Sequence, residues 1–106
     1  MLGGGQLDGA RILGARSVAA MTASQTDGIT EGGTDAAVRY GLGWGLQLGS
    51  GSSARAFGHT GATGSLLVVD PEYGLVAAYL RNWWGVSNED TDEMLDAIYA
   101  GARQRE

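Results

Sequence analysis

Apolar positions in this chain fall into short runs separated by glycine-rich polar stretches, and the two densest runs lie in its second half. Leu66-Leu67-Val68-Val69, within a strand predicted over 65 to 69, and the run from Leu75 to Asn82 have the contiguous apolar character of strands buried on both faces. Asp70-Pro71-Glu72-Tyr73-Gly74 lies between them. Proline presets φ at the second position of a type I turn and glycine takes the left-handed conformation that closes the hairpin. Phe57 to Gly61 is the preceding strand, set off by a glycine kink. Val38 to Leu48 carries glycine at every second position from 41 to 45. As a strand it puts Leu42, Trp44, Leu46 and Leu48 on one face, and its bare glycine face predicts a closely packed neighbour. Residues 49 to 54 form the hairpin loop that follows.

Two segments switch to helical spacing. Ala15 to Ala23 is alanine-rich, with Val18 and Met21 three apart, and predicts a short helix with a narrow apolar face. Ser87 is the expected N-cap of a second helix running to about Arg103, with Asp90 placed for a capping box and Met94, Leu95, Ile98 and Ala102 as its apolar stripe. Acidic residues crowd the start of that helix and Arg103 and Arg105 its end, and both ends favour the macrodipole. Met1 to Gly5 has the character of a helix's last turn and cap, Gln6 to Ala10 of a turn centred on Asp8-Gly9, and Arg11-Ile12-Leu13 of a short extended piece. Residues 24 to 36 are polar and glycine-rich, a flexible loop of a length that suits a rim or lid. The expected fold is α+β: an antiparallel sheet of three to four strands with a packed C-terminal helix, residues 1–106 forming a single partial domain.

Composition narrows the function. Among 106 residues there are 19 glycines, one proline and no cysteine, and the net charge is −5. All seven basic residues are arginine. With no basic stripe to displace phosphate counterions, nucleic-acid binding is excluded as an expectation. The absence of cysteine removes thiol nucleophiles, disulfides and Cys-type metal sites, and leaves the redox compartment unreadable. No apolar run approaches the ~20 residues of a membrane span, and the N-terminus has no signal-peptide pattern.

The candidate chemistry centres on Phe57-Gly58-His59-Thr60-Gly61-Ala62-Thr63-Gly64-Ser65, which holds the sole histidine among glycines and hydroxyls. On residue types alone a lone strand histidine is more often satisfied or merely exposed than functional. No Gly-x-Ser-x-Gly elbow nominates a serine for a triad. Glycines at 58, 61 and 64 have the spacing of a phosphate nest, but a strand follows them instead of a helix N-terminus. Trp44, Trp83 and Trp84 are expected to be core and rim packing. No cofactor and no metal are expected.

Taken together, Phe57 to Ser65, Val69-Asp70-Pro71-Glu72-Tyr73-Gly74-Leu75-Val76 and Asn82 resemble the C-terminal part of the serine β-lactamase-related family. That family holds class C β-lactamases, D-alanyl-D-alanine carboxypeptidases, D-aminopeptidases and related esterases with a penicillin-binding-protein-like fold. Met1 to Leu13, Ser17-Val18-Ala19-Ala20-Met21 and Tyr40-Gly41-Leu42-Gly43-Trp44 are similar to its preceding segments, so the resemblance covers nearly the whole chain. It implies that His59-Thr60-Gly61 is the third family motif, on the strand edging the active site. By that resemblance His59 supplies positive charge or a proton relay near the substrate carboxylate, Thr60 a hydroxyl to the same group, Gly61 room for close approach and Thr63 further substrate contact. The backbone N–H of Ala62 is then half of an oxyanion hole. By that resemblance a histidine here stands in lysine's usual place.

The departure from the family is equally specific. Its nucleophile and base form Ser-x-x-Lys, but this chain has no lysine, and none of Tyr40, Tyr73, Tyr79 or Tyr99 has Asn or Ser two residues on to make the second motif. Without a nucleophile nothing can be acylated. The expectation is therefore the C-terminal portion of a serine hydrolase acting on an amide, ester or β-lactam, inactive alone, its partner in the complete protein being a small-molecule or peptide acyl substrate. The alternative is a non-catalytic binding or interaction module, either a degenerate relative or the half of a split protein. In the family the N-terminal strands pair beside the last strand. The resemblance thus leaves 75–82 as an apolar open edge available for self-association or for a complementing N-terminal part. Family members are often periplasmic or secreted, but no residue here fixes the compartment.

Overall fold

The computed structural model describes residues 1–85 and 89–105. A four-stranded antiparallel sheet forms the centre, built from β3 (Gly45–Leu46), β4 (Phe57–Thr60), β5 (Leu66–Asp70) and β6 (Leu75–Tyr79) in that spatial order. Ahead of it come a two-residue hairpin, β1 (Gln6–Leu7) with β2 (Ala10–Arg11), and helix α1 (Ala15–Thr22). Helix α2 (Glu89–Arg103) closes the chain. The architecture is the expected α+β arrangement.

The hairpin of β5 and β6 follows directly from its turn residues. Gly74 sits at φ +60°, and the Asp70 carboxylate accepts the Glu72 N–H at 3.1 Å, which fixes the chain as it reverses. Register then pairs Leu66 with Tyr79 and Asp70 with Leu75. Because strand side chains alternate, Leu66 and Val68 face α2, where they form a buried cluster with Leu95 and Tyr99. Leu67 and Val76 stand on the opposite face and are 38% and 51% exposed. The expectation that both apolar runs are buried on both faces is therefore corrected: α2 covers one face, and the other is only partly covered.

Three further expectations change. The strand predicted over Val38 to Leu48 is broken by a tight turn in which the Gly41 N–H donates to the Trp44 carbonyl at 2.8 Å, leaving only Gly45–Leu46 in the sheet. Gly41 does answer a close approach, since a Cβ there would collide with the Met21 carbonyl at the end of α1, whereas Gly43 faces open space. On α2 the buried residues are Thr91, Leu95 and Tyr99, with Met94 exposed, so the stripe is rotated toward a tyrosine and a threonine. Trp83 and Trp84 are 71% and 73% exposed rather than packed. The expected Ser87 cap lies outside the described residues.

Polar contacts finish the helix-side packing. Thr91 Oγ1 donates to the Gly64 carbonyl at 3.0 Å, and Ser50 Oγ donates to Asp96 at 3.0 Å. These bonds hold α2 to the turn after β4 and to the loop before it. No helix among the described residues is long and apolar enough to cross a membrane.

Candidate active site

The histidine-bearing strand β4 has an incompletely paired side. Along its whole length it pairs with β5, from Phe57 with Val69 to Thr60 with Leu66. Toward β3 only Phe57 and Gly58 are paired. His59 and Thr60 thus end in an open edge, exposed to solvent, and a strand edge of unpaired backbone groups accepts an extended ligand. Pairing of Phe57 with Val69 and of His59 with Leu67 puts His59 on the face away from α2. Thr60, the next residue, points to the other face, so a molecule touching both side chains must lie along the edge itself.

Beyond Thr60 the chain turns. The Gly61 N–H donates to the Ser65 carbonyl at 2.7 Å and the Gly64 N–H to the Gly61 carbonyl at 3.0 Å. Glycine at 61 leaves Ser65 Oγ where it is, since a Cβ there would sit 3.1 Å from that hydroxyl. The Thr63 hydroxyl lies inward, donating to the Arg81 carbonyl at 2.8 Å with Ser65 Oγ 3.0 Å away. Among the described residues the Ala62 N–H donates to no protein acceptor, and Ala62 is exposed. The edge therefore offers an imidazole from His59, a hydroxyl from Thr60 and, beyond Gly61, the backbone donor of Ala62, with Thr63 holding the turn from behind.

The structure adds a residue that motif reasoning missed in this role. Tyr40 Oη lies 2.7 Å from His59 Nε2, and the two rings meet edge to face, with centroids 5.9 Å apart and planes at 76°. On the other side of the imidazole the Thr60 carbonyl oxygen is 2.6 Å from Nδ1. Tyr40 reaches this position because its backbone is pinned on both sides. Its N–H donates to Thr26 Oγ1 at 3.0 Å, and its carbonyl accepts the Gln25 N–H at 2.7 Å. Thr26 Oγ1 in turn donates to the Val38 carbonyl at 2.6 Å. The loop of residues 24 to 36 is in this way tied to the histidine. Nothing in the spacing of Tyr40 and His59, 19 residues apart, announces the contact.

An open groove of about 600 Å³ lies on the His59 face of the sheet, between the N-terminal hairpin and strands β5 and β6. It is lined largely by apolar groups, among them Leu7, Ile12, Leu13, Trp44, Leu67 and Val76. Trp44 meets Phe57 edge to face with ring centroids 5.3 Å apart. Among the described residues no group of three or more histidine or carboxylate side chains converges as a metal site would require.

A family model described as Beta-lactamase matches residues 2–101. No curated protein matches the chain.

Proposed function

The chain belongs to the β-lactamase family, whose model spans residues 2–101, and we propose that it supplies the substrate-edge wall of a serine acyl-transfer site. The observation that carries this reading is the half-paired strand β4, whose open end presents His59 and Thr60, followed in the turn by the Ala62 N–H, which has no protein acceptor among the described residues. In the proposed site an acyl substrate lies along that edge. The Ala62 N–H donates to the oxyanion that develops as serine attacks the carbonyl carbon, a charge that preorganised backbone donors stabilise at no reorganisation cost. The His59 and Thr60 side chains hold the substrate carboxylate from the two sides of the strand. Gly61 keeps the approach narrow, and Thr63, through Arg81 and Ser65, supports the turn.

The chain has no lysine, so the Ser-x-x-Lys nucleophile and base, and the other half of the oxyanion hole, come from outside these 106 residues. On this reading the polypeptide alone hydrolyses nothing, and turnover requires a segment carrying Ser-x-x-Lys and Tyr-x-Asn. The experiment is reconstitution. The chain alone is expected to leave a chromogenic cephalosporin and a short-chain ester intact, while the chain combined with such a segment hydrolyses one of them. His59→Ala then lowers kcat/KM by ~10²-fold or more, as loss of a preorganised polar contact in the transition state does. Turnover by the chain alone, or a reconstituted activity indifferent to His59→Ala, overturns the proposal.

A second reading rests on a different observation. Leu80, Trp83 and Trp84 are 83%, 71% and 73% exposed, and apolar groups displayed this way just beyond the edge strand suit a binding or interaction module without turnover. Reconstitution separates the two, because an interaction module gives saturable association and no hydrolysis with either substrate.

A further inference from the structure

We infer that Tyr40 is a positioning residue for His59, fixing the imidazole in its Nδ1–H tautomer and covering its Nε2 with the phenol hydroxyl. This deepens the reading of β4 as a substrate wall and rests on it for its functional meaning, though its geometry stands independently.

The argument starts from what each partner can do. A backbone carbonyl only accepts, so the 2.6 Å contact between Nδ1 and the Thr60 oxygen requires the ring proton on Nδ1. A neutral imidazole carries one ring proton, and Nε2 is then a bare acceptor. The group 2.7 Å from it is the Tyr40 hydroxyl, which donates its own proton into that lone pair. The two bonds specify one tautomer from opposite sides, whereas free histidine in water favours the Nε2–H form. Edge-to-face packing of the rings restricts the rotation of the imidazole as well.

The consequence for the site is chemical. In the free chain both ring nitrogens are engaged, so a ligand carboxylate reaches the His59 ring only by displacing the Tyr40 hydroxyl, whose residue is 39% exposed. The loop of residues 24 to 36 then bears on the histidine's state, since Thr26 Oγ1 accepts the Tyr40 N–H.

His59 is the sole histidine in the sequence, so its imidazole nitrogens are read without assignment ambiguity. The experiment is long-range ¹H–¹⁵N correlation NMR of the ¹⁵N-labelled 106-residue chain, at a pH where free imidazole is neutral. The expected spectrum places Nδ1 in the protonated region and Nε2 in the bare-nitrogen region. In Tyr40→Phe, which removes only the hydroxyl, the Nε2 resonance is expected to move toward the protonated region as the other tautomer becomes populated. A wild-type ring that is mainly Nε2–H overturns the inference, and so does a Tyr40→Phe spectrum unchanged from wild type. Should Tyr40→Phe lose its amide dispersion, nuclear Overhauser contacts between the Tyr40 and His59 ring protons in the wild-type chain decide instead: their presence supports the pairing and their absence overturns it. None of these measurements uses substrate or nucleophile. A failed reconstitution with intact tautomer selection therefore condemns the functional reading alone, and the reverse result condemns only the role of Tyr40.

Discussion

Asp70 is fully buried at the end of β5 and still keeps its charge. Burial by itself raises the carboxyl's pKa. The bonds donated by Ser53 Oγ at 2.6 Å, the Ser53 N–H at 2.9 Å, Tyr99 Oη at 2.9 Å and the Glu72 N–H at 3.1 Å outweigh it and hold the group below its ordinary 3.8. Burial and then the same carboxylate push the Tyr99 phenol well above its ordinary 10.0, so it stays a neutral donor. For Asp70 the folded chain binds the proton less tightly than the unfolded chain, so its contribution is complete above the ordinary carboxylate range and is lost as pH falls through the lowered value. Urea midpoints followed from about pH 5 down to about pH 3 are expected to fall more steeply for wild type than for Asp70→Asn, which has no such proton to take up. Equal slopes count against the network. If Asp70→Asn is too unstable to compare, Tyr99→Phe removes one donor and gives a smaller change of the same sign. A turn-initiating aspartate normally faces solvent, and only the approach of Ser53 and Tyr99 buries this one.

Among the elements, α2 carries the clearest lesson about faces. Its apolar residues at helical spacing announce a buried stripe, yet Leu95 is 3% exposed while its neighbour Met94 is 39% exposed. Helix propensity and spacing leave the rotation of a helix about its axis open by roughly one residue. The deciding contacts are the 0%-exposed Tyr99 bonding Asp70 and the 3%-exposed Thr91 bonding the Gly64 carbonyl, polar anchors that an apolar count ignores. Leu95→Ala is expected to cost ~2–5 kcal/mol in a chemical or thermal melt, as large-to-small core changes do. Met94→Ala is expected to stay within ~1 kcal/mol. Equal costs would mean that the helix sits on the sheet in another rotation. The same limit explains the segment before β3. Alternating glycines fit a strand, but Gly41 accommodates the Met21 carbonyl, and that contact with α1 is invisible to local periodicity.

At the scale of the whole molecule one sheet face is only partly covered, and among the described residues the outer side of β6 is open as well as the end of β4. The radius of gyration is 14.7 Å, against about 13 Å for a compact domain of this length. Among the described residues strand β6 pairs with β5 alone, and Leu67, Val76 and Leu80 stay substantially exposed on it or beside it. An unprotected edge with apolar neighbours templates pairing with another chain. We therefore expect size-exclusion chromatography with light scattering to show oligomers or aggregates of the isolated chain, reduced by a lysine introduced as Val76→Lys. A clean monomer with a cooperative melt argues against this.

The sequence by itself determined the order of the central strands and the two helices, the β5–β6 hairpin, the α+β class and membership of the family. Each of these depends on neighbours along the chain: proline and glycine at 71 and 74, contiguous apolar runs, helical spacing, and a motif order from Met1 to Asn82. It also nominated His59, as a single titratable ring on a glycine-flanked strand. What only the tertiary structure decided involves partners brought together from far along the chain. Tyr40 meets His59 across 19 residues, and Asp70 collects donors 17 and 29 residues away. Which sheet face α2 covers, and so which face His59 shares with the open groove, was decided there too. Side-chain period fixes which residues share a face, but only packing chooses the face that is buried, because both faces of β5 are apolar enough to serve.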